Sequence, residues 1–324
     1  MRSIVLTTAS VAALAIAAPA AAQVAVDTDQ AGTGNSATID QVDHETNTIV
    51  LDQLGTNSSV TMFQIGAEQS MTVTQGADGD SNIAFAFQGD ATPESSGNTL
   101  TTSQTGSMNF AATAQNSSGN SATTTQSGDL NEAFVDQGFT DGEGGSDGNS
   151  TFVTQSGSGN LADVTQNFSS VGGGNSAEIV QASDGNTADV SQESGPNLAF
   201  VLQGEVGGEG TNTAIGSQDG AFNLLAVSQD SANNEATATQ VGDGNEVFIT
   251  QGFVDGTGIG GNDNTAIGQQ FGNGNSIEIN QNVLTEGGEN YAEVNQYGDG
   301  FGIVIDQEGS GHSMVVTQGI PPVQ

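Results

Sequence analysis

The chain has 324 residues, of which 38 are Asp or Glu and one is Lys or Arg, for a formal net charge of −37. With Arg2 its lone fixed cation, it has nothing to neutralise phosphates, so nucleic acid is not expected as a direct partner, and salt bridges cannot hold the fold. The absence of Cys and Trp and the presence of 47 Gly argue against disulfides, thiol chemistry and a bulky globular core.

Met1-Arg2-Ser3 precedes an apolar run from Ile4 to Ala18, followed by Pro19-Ala20-Ala21-Ala22. A positive start, an apolar stretch and a small-residue cleavage site predict a secretory signal peptide over residues 1–22, leaving Gln23 first. The stretch is short for a bilayer span and no other segment is apolar enough, so no membrane span is expected.

A repeat then begins almost at once. Val24-Ala-Val26-Asp-Thr28-Asp-Gln30 is followed by a Gly-rich turn and Asn35-Ser-Ala37-Thr-Ile39-Asp-Gln41. The unit reads N-x-Φ-x-Φ-x-Q, with Φ apolar or small. In an extended backbone Asn35, Ala37, Ile39 and Gln41 share one face and the alternate residues share the other. The unit recurs 24 times, from Gln30 to Gln318, and 15 of the 23 Gln-to-Gln spacings are 11 residues. Asn opens 19 units; Val24, Ser58, Gln69, Phe301 and His312 open the others. A fixed period of this kind outranks local signals and predicts an all-β protein, a β-solenoid of about 24 short strand-turn units filling residues 23–324.

Regular turns are short and Gly-rich, as in Ser156-Gly-Ser-Gly159 and Val241-Gly-Asp-Gly244. Longer ones follow Gln88, Gln137, Gln166, Gln203, Gln251 and Gln281. The second trio repeats the first nine units later: Asn82-Ile-Ala-Phe-Ala-Phe-Gln88 matches Asn197-Leu-Ala-Phe-Val-Leu-Gln203, and both Gln88–Gln203 and Gln203–Gln318 span 115 residues. This implies a tandem nine-unit duplication, about 82–196 and 197–311. Nine units make three whole coils if a coil has three strands, so the duplication alone leans towards three. The thin Ala/Val interior suits two strands per coil, because small residues let two sheets approach closely, and two is the favoured reading.

The Asn and Gln of each unit are the candidate site residues, with a structural role. Representative pairs are Asn35 and Gln41, Asn47 and Gln53, Asn120 and Gln126, Asn160 and Gln166, Asn186 and Gln192, Asn245 and Gln251, and Asn275 and Gln281. Each amide carries donors and acceptors, so identical residues stacked at about 4.8 Å satisfy one another in ladders. A lone buried amide would be costly there.

This pattern resembles the curlin repeat of bacterial curli subunits, roughly S-x5-Q-x-G-x-G-N-x-A-x3-Q. Gln30-Ala-Gly32-Thr-Gly34-Asn35-Ser-Ala37-Thr-Ile-Asp-Gln41 and Gln155-Ser-Gly157-Ser-Gly159-Asn160-Leu-Ala162-Asp-Val-Thr-Gln166 match its central part, and the likeness extends over residues 24–318. Curli subunits usually have fewer repeats, some basic residues and an N-terminal segment read by the secretion machinery, whereas this chain is acidic and has almost no leader before its first unit. The resemblance implies a bacterial cell-surface amyloid fibre, a homopolymer of this chain. It also implies other curli-like subunits and an outer-membrane secretion pore as partners. The alternative is a monomeric extracellular binding module acting through its acidic loops.

No catalytic residue, metal ligand or cofactor is expected. His44 and His312 stand 268 positions apart, with no third His and no Cys to complete a site. Ca²⁺ at the acidic loops Asp141–Asp147 and Asp255–Asp263 is set against plain flexible acidic loops, and the plain reading is favoured, since neither loop follows a known Ca²⁺ motif. Outward aromatics Phe85, Phe87, Phe134, Phe152, Phe200 and Phe248 mark either lateral contacts between rods or packing beneath neighbouring long loops, the second slightly favoured because most precede an insertion. Polysaccharide-lyase solenoids have larger, more varied coils than this uniform chain, and ice-binding solenoids carry flat outward Thr ranks that are missing here.

Overall fold

A computed structural model describes residues 2–7, 25–42, 46–89, 96–138, 148–167, 173–204, 211–252, 262–283 and 287–321, with residues 2–7 described by their backbone. Among them there is no α-helix, so no helix is long and apolar enough to cross a membrane. The chain divides into two compact units, residues 1–158 with 165–174 and residues 159–164 with 175–324.

The first unit holds β1 (Arg2–Thr7), β2 (Ala25–Gln30), β3 (Ser36–Val42), β4 (Thr48–Gln53), β5 (Ser59–Ile65) and β6 (Ser70–Gln75). It continues with β7 (Ile83–Gln88), β8 (Thr99–Thr105), β9 (Phe110–Gln115), β10 (Ser121–Ser127), β11 (Glu132–Gln137) and β12 (Ser150–Ser156). The next strand, β13 (Leu161–Gln166), contributes residues to each unit. The second unit holds β14 (Ser176–Gln181), β15 (Thr187–Ser194), β16 (Leu198–Gln203), β17 (Thr213–Gly220), β18 (Leu224–Gln229) and β19 (Glu235–Val241). It ends with β20 (Glu246–Gln251), β21 (Thr265–Phe271), β22 (Ser276–Gln281), β23 (Tyr291–Tyr297), β24 (Gly302–Gln307) and β25 (Ser313–Gly319).

Strands alternate between two sheets. In the first unit the even strands run β2-β4-β6-β8-β10-β12 and the odd ones β1-β3-β5-β7-β9-β11; in the second they run β14 to β24 and β15 to β25 in the same skipping order. Each coil is therefore two strands and two turns, the architecture of a β-solenoid. The three-strand arrangement that the nine-unit duplication favours is not adopted. Nine being odd, the long insertions follow odd strands in the first unit (β7, β11, β13) and even strands in the second (β16, β20, β22).

Pairing is parallel and in register, Gln on Gln: Gln104, Gln126 and Gln155 align across β8, β10 and β12, and Gln218, Gln240 and Gln270 across β17, β19 and β21. The exception is β1, which lies antiparallel on β3, with Ile4 opposite Ile39. It falls inside the segment expected to be a signal peptide.

Alternation puts the Φ residues inside. Ile49, Leu51, Val60 and Met62 are buried in the first unit, and Ala188, Val190, Leu225 and Ile279 in the second. The layer is thin, and in the second unit two inward glycines face large side chains of the other sheet. A Cβ added to Gly216 of β17 would sit 2.3 Å from Leu225 Cδ2 of β18, and one on Gly268 of β21 would meet Val247 at 3.3 Å and Ile277 at 3.6 Å. The inward glycines are thus the complement of bulky neighbours across the interior.

Turn glycines stack as well. Gly220, Gly242 and Gly272 all have positive φ, and a Cβ on each would meet the carbonyl oxygen of the glycine one coil on, at 2.2, 2.2 and 2.1 Å. Backbone packs directly on backbone there, so glycine is required on two counts.

Candidate functional site: the amide columns

The Gln column is built by the strands themselves. Each Gln closes a strand on its inward parity, and in-register pairing sets it above its counterpart. In the first unit's even sheet, Nε2 of Gln53 donates to Gln75 Oε1 at 2.9 Å, Gln75 to Gln104 at 2.8 Å, Gln104 to Gln126 at 2.9 Å and Gln126 to Gln155 at 2.8 Å. Gln30 donates to Gln53 in the same sense. The odd sheet runs likewise through Gln41, Gln64, Gln88, Gln115, Gln137 and Gln166.

The second unit repeats this: Gln181, Gln203, Gln229, Gln251, Gln281 and Gln307 form one chain of donors and acceptors, and Gln192, Gln218, Gln240, Gln270, Gln296 and Gln318 the other. Every bond points the same way, from the earlier coil to the later. The columns are polar, and their members are buried apart from Gln41 and Gln318, which are half-buried.

From Gln53 to Gln307, each Gln also has a second task that periodicity did not reveal. Its remaining N–H reaches the opposite sheet and donates to the first carbonyl of the preceding strand: Gln53 to Ser36 O at 3.2 Å, Gln126 to Phe110 O at 2.8 Å, Gln251 to Glu235 O at 3.0 Å and Gln281 to Thr265 O at 3.1 Å. The side chain thus ties coil to coil and sheet to sheet. At Gln137 the network branches through Thr151, whose hydroxyl accepts from Gln137 and donates to Gln166 Oε1.

The Asn residues behave differently from the stacked amide ladder expected of them. Asn is one methylene shorter, so it meets the backbone of the next coil first. Oδ1 accepts the N–H of the residue in the same slot one coil on: Asn35 from Ser58 at 3.0 Å, Asn47 from Gln69 at 3.0 Å, Asn120 from Asn149 at 2.9 Å, Asn160 from Asn186 at 2.9 Å, Asn186 from Asn212 at 3.1 Å and Asn245 from Asn275 at 3.1 Å. In many units Nδ2 donates to a turn carbonyl of that coil, as Asn35 does to Gly55 at 2.8 Å, Asn47 to Gly66 at 2.7 Å and Asn245 to Gly272 at 2.8 Å. Amide-to-amide contacts occur as additions, at 3.1 Å between Asn275 and Asn245. Asn therefore clips two backbone groups of the coil above. Asp has no N–H to give and Ser cannot reach both groups, which accounts for the residue type.

A third column, not picked out from the sequence, runs along one turn of the second unit. Asp243 Oδ1 accepts from Ala221 N at 2.8 Å, Asn273 Oδ1 from Asp243 N at 2.8 Å and Asp299 Oδ1 from Asn273 N at 2.8 Å. Its signal was legible as the aligned Gly-Asp-Gly, Gly-Asn-Gly and Gly-Asp-Gly triplets at 242–244, 272–274 and 298–300.

The electrostatics follow from burial without cations. Desolvation raises the carboxyls of Asp136 and Asp189 above their ordinary value, and it does so at Asp52 with help from the neighbouring charge of Asp29. On β23 the Tyr291 hydroxyl donates to Glu293 Oε2 at 2.6 Å and Asn295 Nδ2 to Glu293 Oε1 at 2.8 Å, and these bonds hold Glu293 below its ordinary value.

His312 sits in the Asn slot of β25, where its N–H donates to Asn290 Oδ1 at 2.9 Å. His44 and most of both acidic loops lie outside the described residues. Among the described residues no group of three or more His, Cys, Asp or Glu side chains converges as a metal site.

No curated protein matches the chain. Residues 220–252, which hold the three units ending at Gln229, Gln240 and Gln251, match the family model described as the curlin associated repeat, the repeat that the other units of the chain resemble.

Proposed function

We propose that the chain is a secreted structural subunit that polymerises end to end into curli-like cross-β fibres. Such fibres serve biofilm matrix, surface adhesion or cell aggregation. The observation that carries this reading is the unfinished state of the terminal coils. Met314 of β25 occupies an inward position, yet it is 43% exposed, whereas its partner Ala292 is 0% exposed. At the other end Val26 and Thr28, the inward residues of β2, are only half-buried.

The polarity of the Gln columns makes these ends complementary. The first coil presents the Oε1 acceptors of Gln30 and Gln41, and the last presents the amide donors of Gln307 and Gln318. A second copy whose β2 and β3 follow β24 and β25 continues both sheets and both columns, because β2 to β25 make whole coils. Other curli-like subunits with the same columns fit the same ends, and an outer-membrane pore of the curli type is the export route this reading carries. Removal of residues 1–22 takes β1 away and uncovers β3 for that contact.

A monomeric binding module is the second reading. It draws on Phe301 and His312, which end the Asn columns before the last strands. The test dilutes residues 23–324 from denaturant into rising salt and follows seeding and fibre diffraction. Seedable growth with reflections near about 4.7 and 10 Å is expected. A β-rich monomer that refuses seeds at every salt and Ca²⁺ level would overturn the fibre reading.

A further inference from the structure

Two apolar platforms face outward, one in each unit. In the first unit's odd sheet, Ile83, Phe85 and Phe87 on β7 are continued by Phe110 on β9 and Phe134 on β11. Phe85 is 45% exposed, and the rings run diagonally, with Phe85 to Phe110 at 5.7 Å and Phe110 to Phe134 at 5.4 Å between centroids. Ala112 and Ala114 leave room for that diagonal.

The second unit carries the counterpart on its even sheet. There Leu198, Phe200 and Leu202 on β16 are continued by Leu224 on β18 and Phe248 on β20, with Ala226 in the place of Ala112. Phe200 is 39% exposed. The platform was thus copied with the nine-unit block, and because nine is odd it passed from odd strands to even ones. The inward face explains none of these residues, since all of them point out.

We infer that these platforms are lateral docking faces for a second copy of this chain, platform on platform. Three observations select that occupant. First, the chain carries a net charge of −37, so copies repel one another on the whole; the outward positions of β7 and β9, and of β16 and β18, hold no carboxylate, so like charge does not oppose approach there, while Glu132 and Asp136 on β11 and Glu246 on β20 mark the platforms' edges. Secondly, both platforms are ridged by the same in-register parallel ladder, so the ridges of one copy repeat at the spacing of the grooves of another, as in the paired sheets of cross-β assemblies. Thirdly, Phe, Leu, Ile and Ala bring no hydrogen-bonding groups to orient a polar partner, and the surface that matches them is a like apolar platform. The contact does not depend on end-to-end growth and adds width rather than length.

The stoichiometry is testable with the full chain. The probes are Phe85→Ser with Phe134→Ser (first platform), Phe200→Ser with Phe248→Ser (second platform), and the fourfold variant. Mass is read by sedimentation where the chain stays unpolymerised and as mass per length where it forms fibres. With two platforms, the unsubstituted chain associates beyond pairs. Either double variant stops at pairs, a twofold mass, and the fourfold variant stays single. An environment-sensitive apolar dye bound by the dilute unsubstituted chain is expelled as concentration rises; this readout needs no variant, should substitution impair folding. Equal mass for the unsubstituted chain and a folded fourfold variant overturns the inference. So does a loss of folding stability with unchanged association, the result expected if the rings serve folding and not docking. Failure of end-to-end growth with lateral pairing intact would overturn the fibre reading alone.

Discussion

At the scale of the residue, one amide side chain does the work of several contacts, and its cost of removal follows. Gln126 accepts from Gln104 and donates to Gln155, both in the buried interior, and donates to the part-buried Phe110 O. Gln126→Ala leaves an orphaned donor on one side and an orphaned acceptor on the other, at about 1–3 kcal/mol each, so a loss of about 2–6 kcal/mol is expected in denaturant titration. Substituting an outward neighbour such as Thr125, half-buried in the same strand, should move the midpoint far less. The recurrence of Gln showed that it had to be inward and stacked. Its reach to the opposite sheet was hidden, because periodicity reports which face a residue takes and not how far its side chain extends. Asn was misjudged for the same reason: one methylene decides between meeting the next amide and meeting the next backbone.

At the scale of the element, the terminal strands differ from the interior ones, and that difference is open to experiment. Asn at the head of a strand clips the coil that follows, but β25 is headed by His312, which offers no Oδ1 to the N–H of an incoming Asn35. His312→Asn restores one acceptor and one donor at the face where the proposed fibre would grow. About 0.5–1.5 kcal/mol for each bond predicts a critical concentration for elongation lower by about tenfold, measured from the soluble chain left at equilibrium. At the opposite end β1 lies antiparallel on β3 and occupies its ladder groups. A chain that keeps residues 1–22 should therefore elongate at that end more slowly than one that lacks them, and seeds marked at each end separate the two rates. An N-terminal apolar run read as a signal peptide gave no hint of this pairing, since the run carries no unit of its own. Strand existence and register, by contrast, were plain, because the Asn-to-Gln spacing is held through insertions of every length. Two strands per coil followed from the thin interior and not from the duplication, whose odd count pointed elsewhere.

At the scale of the whole molecule, charge opposes both folding and the proposed assembly, and pH sets how strongly. Burial raises Asp52, Asp136 and Asp189 above the ordinary carboxyl value of 3.8, the first also through Asp29. A raised acid binds its proton more tightly in the folded state than in the unfolded one. Its stabilisation is therefore absent at neutral pH, appears as pH falls through the raised value, and is complete below 3.8. Glu293 has the opposite sign: the bonds from Tyr291 and Asn295 lower it, so its contribution holds above the ordinary 4.5 and is lost as pH falls through its lower folded value. The raised group is the larger in number, and protonation also removes repulsion from a chain at −37 with no cation beyond Arg2 to offset it. Melting temperature should accordingly rise by a few degrees as pH falls from neutrality through the raised carboxyl values, with the loss from Glu293 opposing the rise only below 4.5. Salt should imitate acid for assembly, since a Debye length of about 10 Å at 0.1 M screens copy from copy. It should imitate acid poorly for the melting temperature, because burial of Asp136 and Asp189 is a desolvation cost that salt does not relieve. A melting temperature that salt raises as much as acid does would assign the cost to surface repulsion instead of to the partial desolvation of these carboxylates.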